Sequence, residues 1–228
     1  MRLLAIDTTT DACSIALQVD DATIEQHHVE ARAHTRILVP MIREMLEQAK
    51  LQSAELDAVI LGNGPGSFIG MRISASVVQG LCFGAGLSLV PVSSLAAVAM
   101  QVMLEEGADR VAVAQDARMD EVYFASYRRD ADGLPVADSS ERIVAIASDD
   151  LLSGQGWTAA GGGWERYPEL ATANRSRLSR ISNVRLPRAR YLLPIAIRDL
   201  RQGAAIRPQD LSPAYLRTKV ADTAARDS

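Results

Sequence analysis

The chain has 228 residues, 48% of them hydrophobic and 23% charged, with a formal net charge of −4. That length holds one large domain or two lobes around an ample core, and the acidic balance excludes a protein that grips nucleic acid by charge alone. Two cysteines, Cys13 and Cys82, both inside apolar runs, exclude a disulfide framework and point to a reducing cytosol.

Leu3-Leu4-Ala5-Ile6-Asp7 is a short apolar run ending on a carboxylate and predicts a buried strand. Strands are predicted over 13–19 and, after the Asp20-Asp21 turn, over 23–29, so the chain opens as an antiparallel meander. Over 35–51 the period changes. Leu38, Met41, Ile42, Met45, Leu46 and Ala49 recur at three- and four-residue steps, which predicts an amphipathic helix. Pro40 is placed in its early turns, where a missing amide hydrogen costs least. A strand over 58–61 and the run Gly62-Asn63-Gly64-Pro65-Gly66-Ser67 lead into a helix over 67–84. A strand over 87–92 and a helix capped by Ser93 or Ser94 and running to 106 follow. A meander followed by alternating units predicts an α/β fold with a mixed sheet flanked by helices.

The second half opens the same way. Ala114-Gln115-Asp116 matches Ala5-Ile6-Asp7 and Asp120 matches Asp11, each 109 positions later. Both carboxylates precede a strand, which points to an internal duplication. The expected organisation is an N-terminal lobe over 1–107, a reduced C-terminal duplicate over 108–217 and a frayed tail over 218–228. In the duplicate, a glycine turn at Gly161-Gly162-Gly163 and a helix over 191–201 are the clear elements. Nothing at the start of the chain reads as a leader peptide. The weakly polar stretch 77–99 is broken by glycines, Pro91 and serines, so it reads as helix, loop and strand, and no membrane contact is expected.

Three features carry possible chemistry. A strand ending on Asp7 before Thr8-Thr9-Thr10 either presents a carboxylate near a phosphate or is a turn aspartate holding backbone amides. The glycine run, with Gly64, Gly66 and Ser67, either cradles an anion at the following helix start or turns a strand sharply into a helix. It lacks the Gly-Lys-Ser/Thr of a Walker loop. The helix after it carries Ser74 and a small-residue stripe of Ser76, Gly80 and Gly84, which lets another helix approach closely. Together with Leu38, Met41, Ile42 and Met45 of the preceding helix, Ser74, Val77, Gly80 and Leu81 are the expected partner-binding residues. Gly80→Leu is expected to press on the home core as well as on a partner. Metal catalysis and triad hydrolysis lack their residues. His27 and His28 are adjacent on a strand and point to opposite faces, and no His-x-x-x-His pair or Gly-x-Ser-x-Gly elbow occurs. Arginines gather between Arg175 and Arg190, either as a solvated loop or as a secondary nucleic-acid contact.

These residues resemble the TsaB (YeaZ) family, the dimerisation subunit of bacterial tRNA threonylcarbamoyladenosine modification, over nearly the whole chain. The resemblance is carried by Ala5-Ile6-Asp7-Thr8, Cys13-Ser14-Ile15-Ala16-Leu17, His34-Thr35 with Leu38 and Pro40, and the glycine loop with Ser67, Phe68, Gly70 and Arg72. Asp116-Ala117-Arg118, Glu121-Val122-Tyr123, Leu193-Pro194 and the closing Pro213-Ala214-Tyr215-Leu216-Arg217 extend it. Ile69 and Asn63 depart from the family's usual threonine and arginine. The resemblance implies an actin-like ATPase (ribonuclease H-like) fold of two lobes, the second reduced. It also implies a scaffold without catalytic residues, metal or cofactor, because Ser94 and Val98 stand where the catalytic relative TsaD has its two metal-binding histidines. Implied partners are TsaD, docked through the helices over 35–51 and 67–84, the ATPase subunit TsaE through the complex, and a second copy of the chain when alone. Contact with tRNA is expected to be indirect or weak. Asp7, Gly64, Gly66 and Ser67 are then a vestigial phosphate site. The rival readings are an ATP-dependent phosphotransferase, motivated by Asp7, the glycine loop and Asp116, and a peptidase.

Overall fold

The computed structural model describes residues 1–148 and 151–217, so the expected tail over 218–228 lies outside the described residues. The first sheet is built from β1 (Arg2–Asp7), β2 (Ala12–Val19), β3 (Ala22–Val29), β4 (Ala58–Gly62) and β5 (Ser88–Val92), in the order β3-β2-β1-β4-β5. β1 runs antiparallel to β2 and parallel to β4, and β4 runs parallel to β5. Both faces of β1 are covered, which is why its sequence is a continuous apolar run rather than an alternation. Leu4 and Ile6 face one way and Leu3 and Ala5 the other. The connecting helices are α1 (His34–Gln48), α2 (Phe68–Ala85) and α3 (Ser94–Glu106). Ser67 caps α2 by accepting from the Gly70 amide at 3.2 Å, and Ser93 caps α3 by accepting from Ala96 at 3.1 Å. Gly86 and Gly107 close these helices at φ 68° and 69°, a conformation that glycine adopts without strain.

α1 begins at His34, one residue before the expected start, and Pro40 lies in its early turns as expected, though past the N-terminal positions whose amides have no partner within the helix. The side chain is exposed, so the carbonyl it leaves unpaired, that of Arg36, is available to water.

The second sheet repeats the first. It contains β6 (Arg110–Arg118), β7 (Glu121–Arg129), β8 (Pro135–Ala137), β9 (Arg142–Ala145), β10 (Trp157–Ala160) and β11 (Leu178–Ile181). Their order is β11-β10-β6-β7-β8, with β9 also paired to β7. β6 is antiparallel to β7 and parallel to β10, as β1 is to β2 and β4. The matched aspartates, Asp7 and Asp116, therefore stand at the ends of equivalent central strands. α4 (Gly162–Arg166) and α5 (Pro168–Ala173) are short counterparts of α2, and α6 (Leu192–Arg201) follows β11 as α3 follows β5.

The layers run α1/α2, first sheet, α3/α6, second sheet, α4/α5. α3 packs on β6, β7, β8 and β10, while α6 packs on β1, β4 and β5. Each central helix thus covers the other lobe's sheet, and one apolar cluster spans Ile60, Val90, Leu95, Met100, Val113, Tyr127, Leu192 and Ile195. The 107/108 boundary falls between α3 and β6, but no gap in the core marks it. The chain after α6 also returns to the first lobe, where Ile206 bridges Leu89 and Leu211 joins the α1/α2 core.

Candidate docking face and inter-lobe cleft

The end of β1 is closed rather than open. Asp7 is fully buried, and its Oδ1 accepts from the Thr9 amide at 2.9 Å and the Thr9 hydroxyl at 2.7 Å. Oδ2 accepts from Ser94 Oγ at 2.6 Å. Burial pushes the Asp7 carboxyl above the usual carboxylate range, against the opposing pull of the Ser94 and Thr9 hydrogen bonds and of nearby His34. The glycines of the loop are required by what lies against them. A Cβ on Gly62 would strike the Asp7 carboxylate, and one on Gly64 would lie 2.5 Å from the Ser94 amide nitrogen. On Gly66 or Gly70 it would overlap the Thr9 or Thr8 carbonyl oxygen. Of the four residues expected to hold a phosphate, Gly66 and Ser67 line the inter-lobe cleft, whereas Asp7 and Gly64 do not. The loop is a tight strand-to-helix turn locked onto β1, and the Asp7 carboxylate does not reach the cleft. Asp116 is engaged as well, by the Tyr167 hydroxyl at 2.9 Å, Arg118 at 3.0 Å and Arg166 at 3.4 Å.

Ser94 and Val98 are both interior. Ser94 holds Asp7, and Val98 sits in the central apolar layer. Among the described residues no three His, Cys, Asp or Glu side chains converge as a metal set.

The helix face differs in part from the expectation. Leu38, Met41, Ile42 and Met45 are buried in the chain's own core, where α1 packs on β2 and α2. Ser74 is also buried, its hydroxyl donating to the Gly70 and Met71 carbonyls at 3.3 and 3.2 Å. These five belong to the home side of their helices, because a helix laid on a sheet spends its apolar stripe there first. Val77 and Leu81 lie at the margin and Gly80 is exposed. The open face of α2 instead runs Ile69, Ser76, Gly80, Phe83 and Gly84, edged by Ile73 and Val77, which are half-buried against the home core. Phe83 is 83% exposed and Ile69 68%. The sequence reading missed both. Their signal was the nearly unbroken apolarity of α2, which leaves an apolar surplus whichever face the sheet takes. By length and apolarity alone α2 would pass as a membrane span, but Met71, Ala75, Val78 and Cys82 are buried on the first sheet. Gly80 and Gly84 have nothing within 4 Å of a built Cβ, so the first atom of a side chain at either position meets open space. A groove of about 390 Å³ between α1 and α2 is lined by Thr35, Ile69, Arg72, Ile73, Ser76 and Val77.

Much of the arginine cluster is engaged within the chain. Arg180 pairs with Glu106, Arg185 with Glu165 and Arg188 with Glu25, while Arg190 lies over the Tyr191 ring.

Residues 21–225 match the family model described as TsaD: tRNA N6-adenosine threonylcarbamoyltransferase. The chain is 38% identical over 226 residues to the tRNA threonylcarbamoyladenosine biosynthesis protein TsaB of Escherichia coli (strain K12), covering 97% of this chain and 96% of that one. The chain belongs to the TsaB family. TsaB of Haemophilus influenzae is 34% identical over 228 residues, with 96% and 95% covered. A solved structure described as YeaZ from Pseudomonas aeruginosa superposes at a TM-score of 0.82 with 34% identity, covering 92% of this chain and 98% of that one. The two departures from the TsaB pattern have visible consequences. Ile69 adds apolar surface to the open stripe, and the Asn63 side chain bonds the Ser212 carbonyl at 3.1 Å and the Ala214 amide at 3.2 Å.

Proposed function

We propose that this chain is a non-catalytic scaffold subunit in tRNA threonylcarbamoyladenosine biosynthesis. It works in the cytoplasm by docking onto the catalytic threonylcarbamoyltransferase subunit, TsaD, through the open face of α2 and the α1 groove beside it. The observation that carries this reading is the row of exposed Ile69, Gly80 and Phe83 along α2, edged by the half-buried Ile73 and Val77, on a helix whose opposite side is packed on the first sheet. Large side chains alternate there with glycine and serine, so a partner helix can lie close along the stripe and receive Phe83 in its own surface. The same geometry allows two copies of the chain to pair when the catalytic subunit is absent. The scaffold assignment is supported by Ser94 and Val98, which replace imidazole at the positions of the relative's metal ligands and serve the fold instead. The ATPase subunit TsaE joins through the complex, and tRNA contact is indirect.

Burying a mostly exposed phenylalanine contributes about 2–3 kcal/mol. Phe83→Glu, which also sets a charge in the contact, is expected to weaken binding to the catalytic subunit at least thirtyfold by titration calorimetry, ~2 kcal/mol. The thermal midpoint of the free chain should stay within about 2 °C of the parent. Unchanged binding would refute the docking face.

A further inference from the structure

The strongest unassigned feature is the cleft between the lobes, about 640 Å³, and the peptide that crosses its mouth. The segment from Ser212 to Arg217 joins no sheet and has no fully buried side chain. Side chains from both lobes hold it. On the first lobe, Asn63 bonds Ser212 and Ala214, and Arg72 Nε donates to the Tyr215 hydroxyl at 3.0 Å. The Arg72 guanidinium lies 3.6 Å over the Phe68 ring, and that ring meets Tyr215 with centroids 5.3 Å apart. On the second lobe, Arg217 bonds the Ala117 carbonyl at 3.1 Å and pairs with Glu121. The rim beneath is strained, since Arg118, Met119 and Asp120 take φ of 63°, 56° and 56° in succession without a glycine.

Two residues belong to both surfaces. Arg72 lines the α1/α2 groove and latches Tyr215, and Ile69 lines the groove and the cleft. We infer that the segment 212–217 is a lid on the inter-lobe cleft whose latch, Arg72–Phe68–Tyr215, is tightened when a partner occupies the α1/α2 face. This inference rests on the docking reading above. Only Nε of Arg72 is in a hydrogen bond within the described residues, so its terminal nitrogens can take a partner carboxylate or carbonyl while Nε keeps Tyr215. Covering the Arg72–Phe68 stack removes competing water and strengthens both the cation–π contact and the hydrogen bond. Docking and cleft access are therefore coupled through one guanidinium.

The test places a thiol under the lid. Ala117→Cys in the full chain lines the cleft, and the two native thiols give a silent background. Both are buried, with burial pushing Cys13 up to about 12 and Cys82 to about 11. Alkylation by iodoacetamide is followed by intact mass. Tyr215→Phe, which keeps the ring and removes the hydroxyl, is expected to raise the rate about fivefold, and Arg72→Ala about tenfold or more. Circular dichroism checks that each variant is folded. Rates unchanged in both would overturn the latch. Saturating catalytic subunit should then slow alkylation severalfold in the Ala117→Cys chain and much less with Tyr215→Phe added. Tyr215 is outside the groove, so that variant still docks, and it separates coupling from direct cover. Bound partner with equal slowing in both chains would overturn the coupling and leave the docking reading standing. Failure of the partner to bind, seen by sedimentation, would overturn both.

Discussion

Two glycine-to-alanine substitutions fourteen residues apart test the account of the α2 region with opposite signs. At Gly66 an added methyl would lie 2.9 Å from Thr9 Cβ and closer still to the Thr9 carbonyl oxygen. That oxygen accepts the Ser67 amide at 2.6 Å, and Thr9 itself holds Asp7 through its amide and hydroxyl. No flexible side-chain end is available to yield, so the overlap falls on backbone. Overpacking costs about 1–3 kcal/mol, and loosening the Ser67–Thr9 hydrogen bond adds about 1 kcal/mol. Gly66→Ala should therefore destabilise by roughly 2–4 kcal/mol, a fall of about 4–16 °C in the thermal midpoint for a chain of this size. At Gly80 a Cβ meets nothing within 4 Å. There alanine removes the helix penalty of glycine and should stabilise by about 0.5–1 kcal/mol, or 1–4 °C. Scanning calorimetry on the purified free chain reads both. A midpoint for Gly66→Ala within about 2 °C of the parent would refute the reading of the loop as a packed turn. A fall for Gly80→Ala would refute the open face.

Other outcomes follow from the same geometry. Gly80→Leu should leave the free chain folded and weaken partner binding about tenfold or more by sedimentation, because Gly80 is exposed, its Cβ position is open and the larger side chain fills the flat part of the stripe. Asp7→Asn tests the buried carboxylate. The raised folded pKa means that the native state holds its proton more tightly than the unfolded chain. Asp7 therefore costs stability progressively as pH rises from about 4 toward that folded value. The difference in unfolding free energy should move in the variant's favour across that window in urea titrations, and a difference independent of pH would contradict the assignment. Asn63→Ala removes two contacts to the 212–217 segment and should accelerate amide exchange there, with the α1/α2 core unchanged.

The first lobe was legible because its signals are local. Strand runs, the helix start near Ser67 and the cap at Ser93 or Ser94 each act within a turn or two, and the 109-residue offset between Asp7 and Asp116 exposed the repeat. What escaped the sequence is nonlocal. Periodicity found the apolar stripe of α1, but whether Leu38, Met41, Ile42 and Met45 face a partner or the home sheet depends on where the sheet lies. Phe83 and Ile69 were hidden because α2 is apolar nearly all round. No local pattern says that α3 packs on the second sheet and α6 on the first, or that Asn63 reaches Ser212 and Ala214.

The most direct test of the scaffold reading is reconstitution. The catalytic subunit, the ATPase subunit, ATP, threonylcarbamoyl adenylate as the acyl donor and unmodified tRNA are combined with and without this chain, and threonylcarbamoyladenosine is quantified by mass spectrometry of nucleosides. The account predicts product only with the chain present, full product with Asp7→Asn, and little with Phe83→Glu. Product formed equally without the chain, or lost with Asp7→Asn while Phe83→Glu remains active, would contradict it.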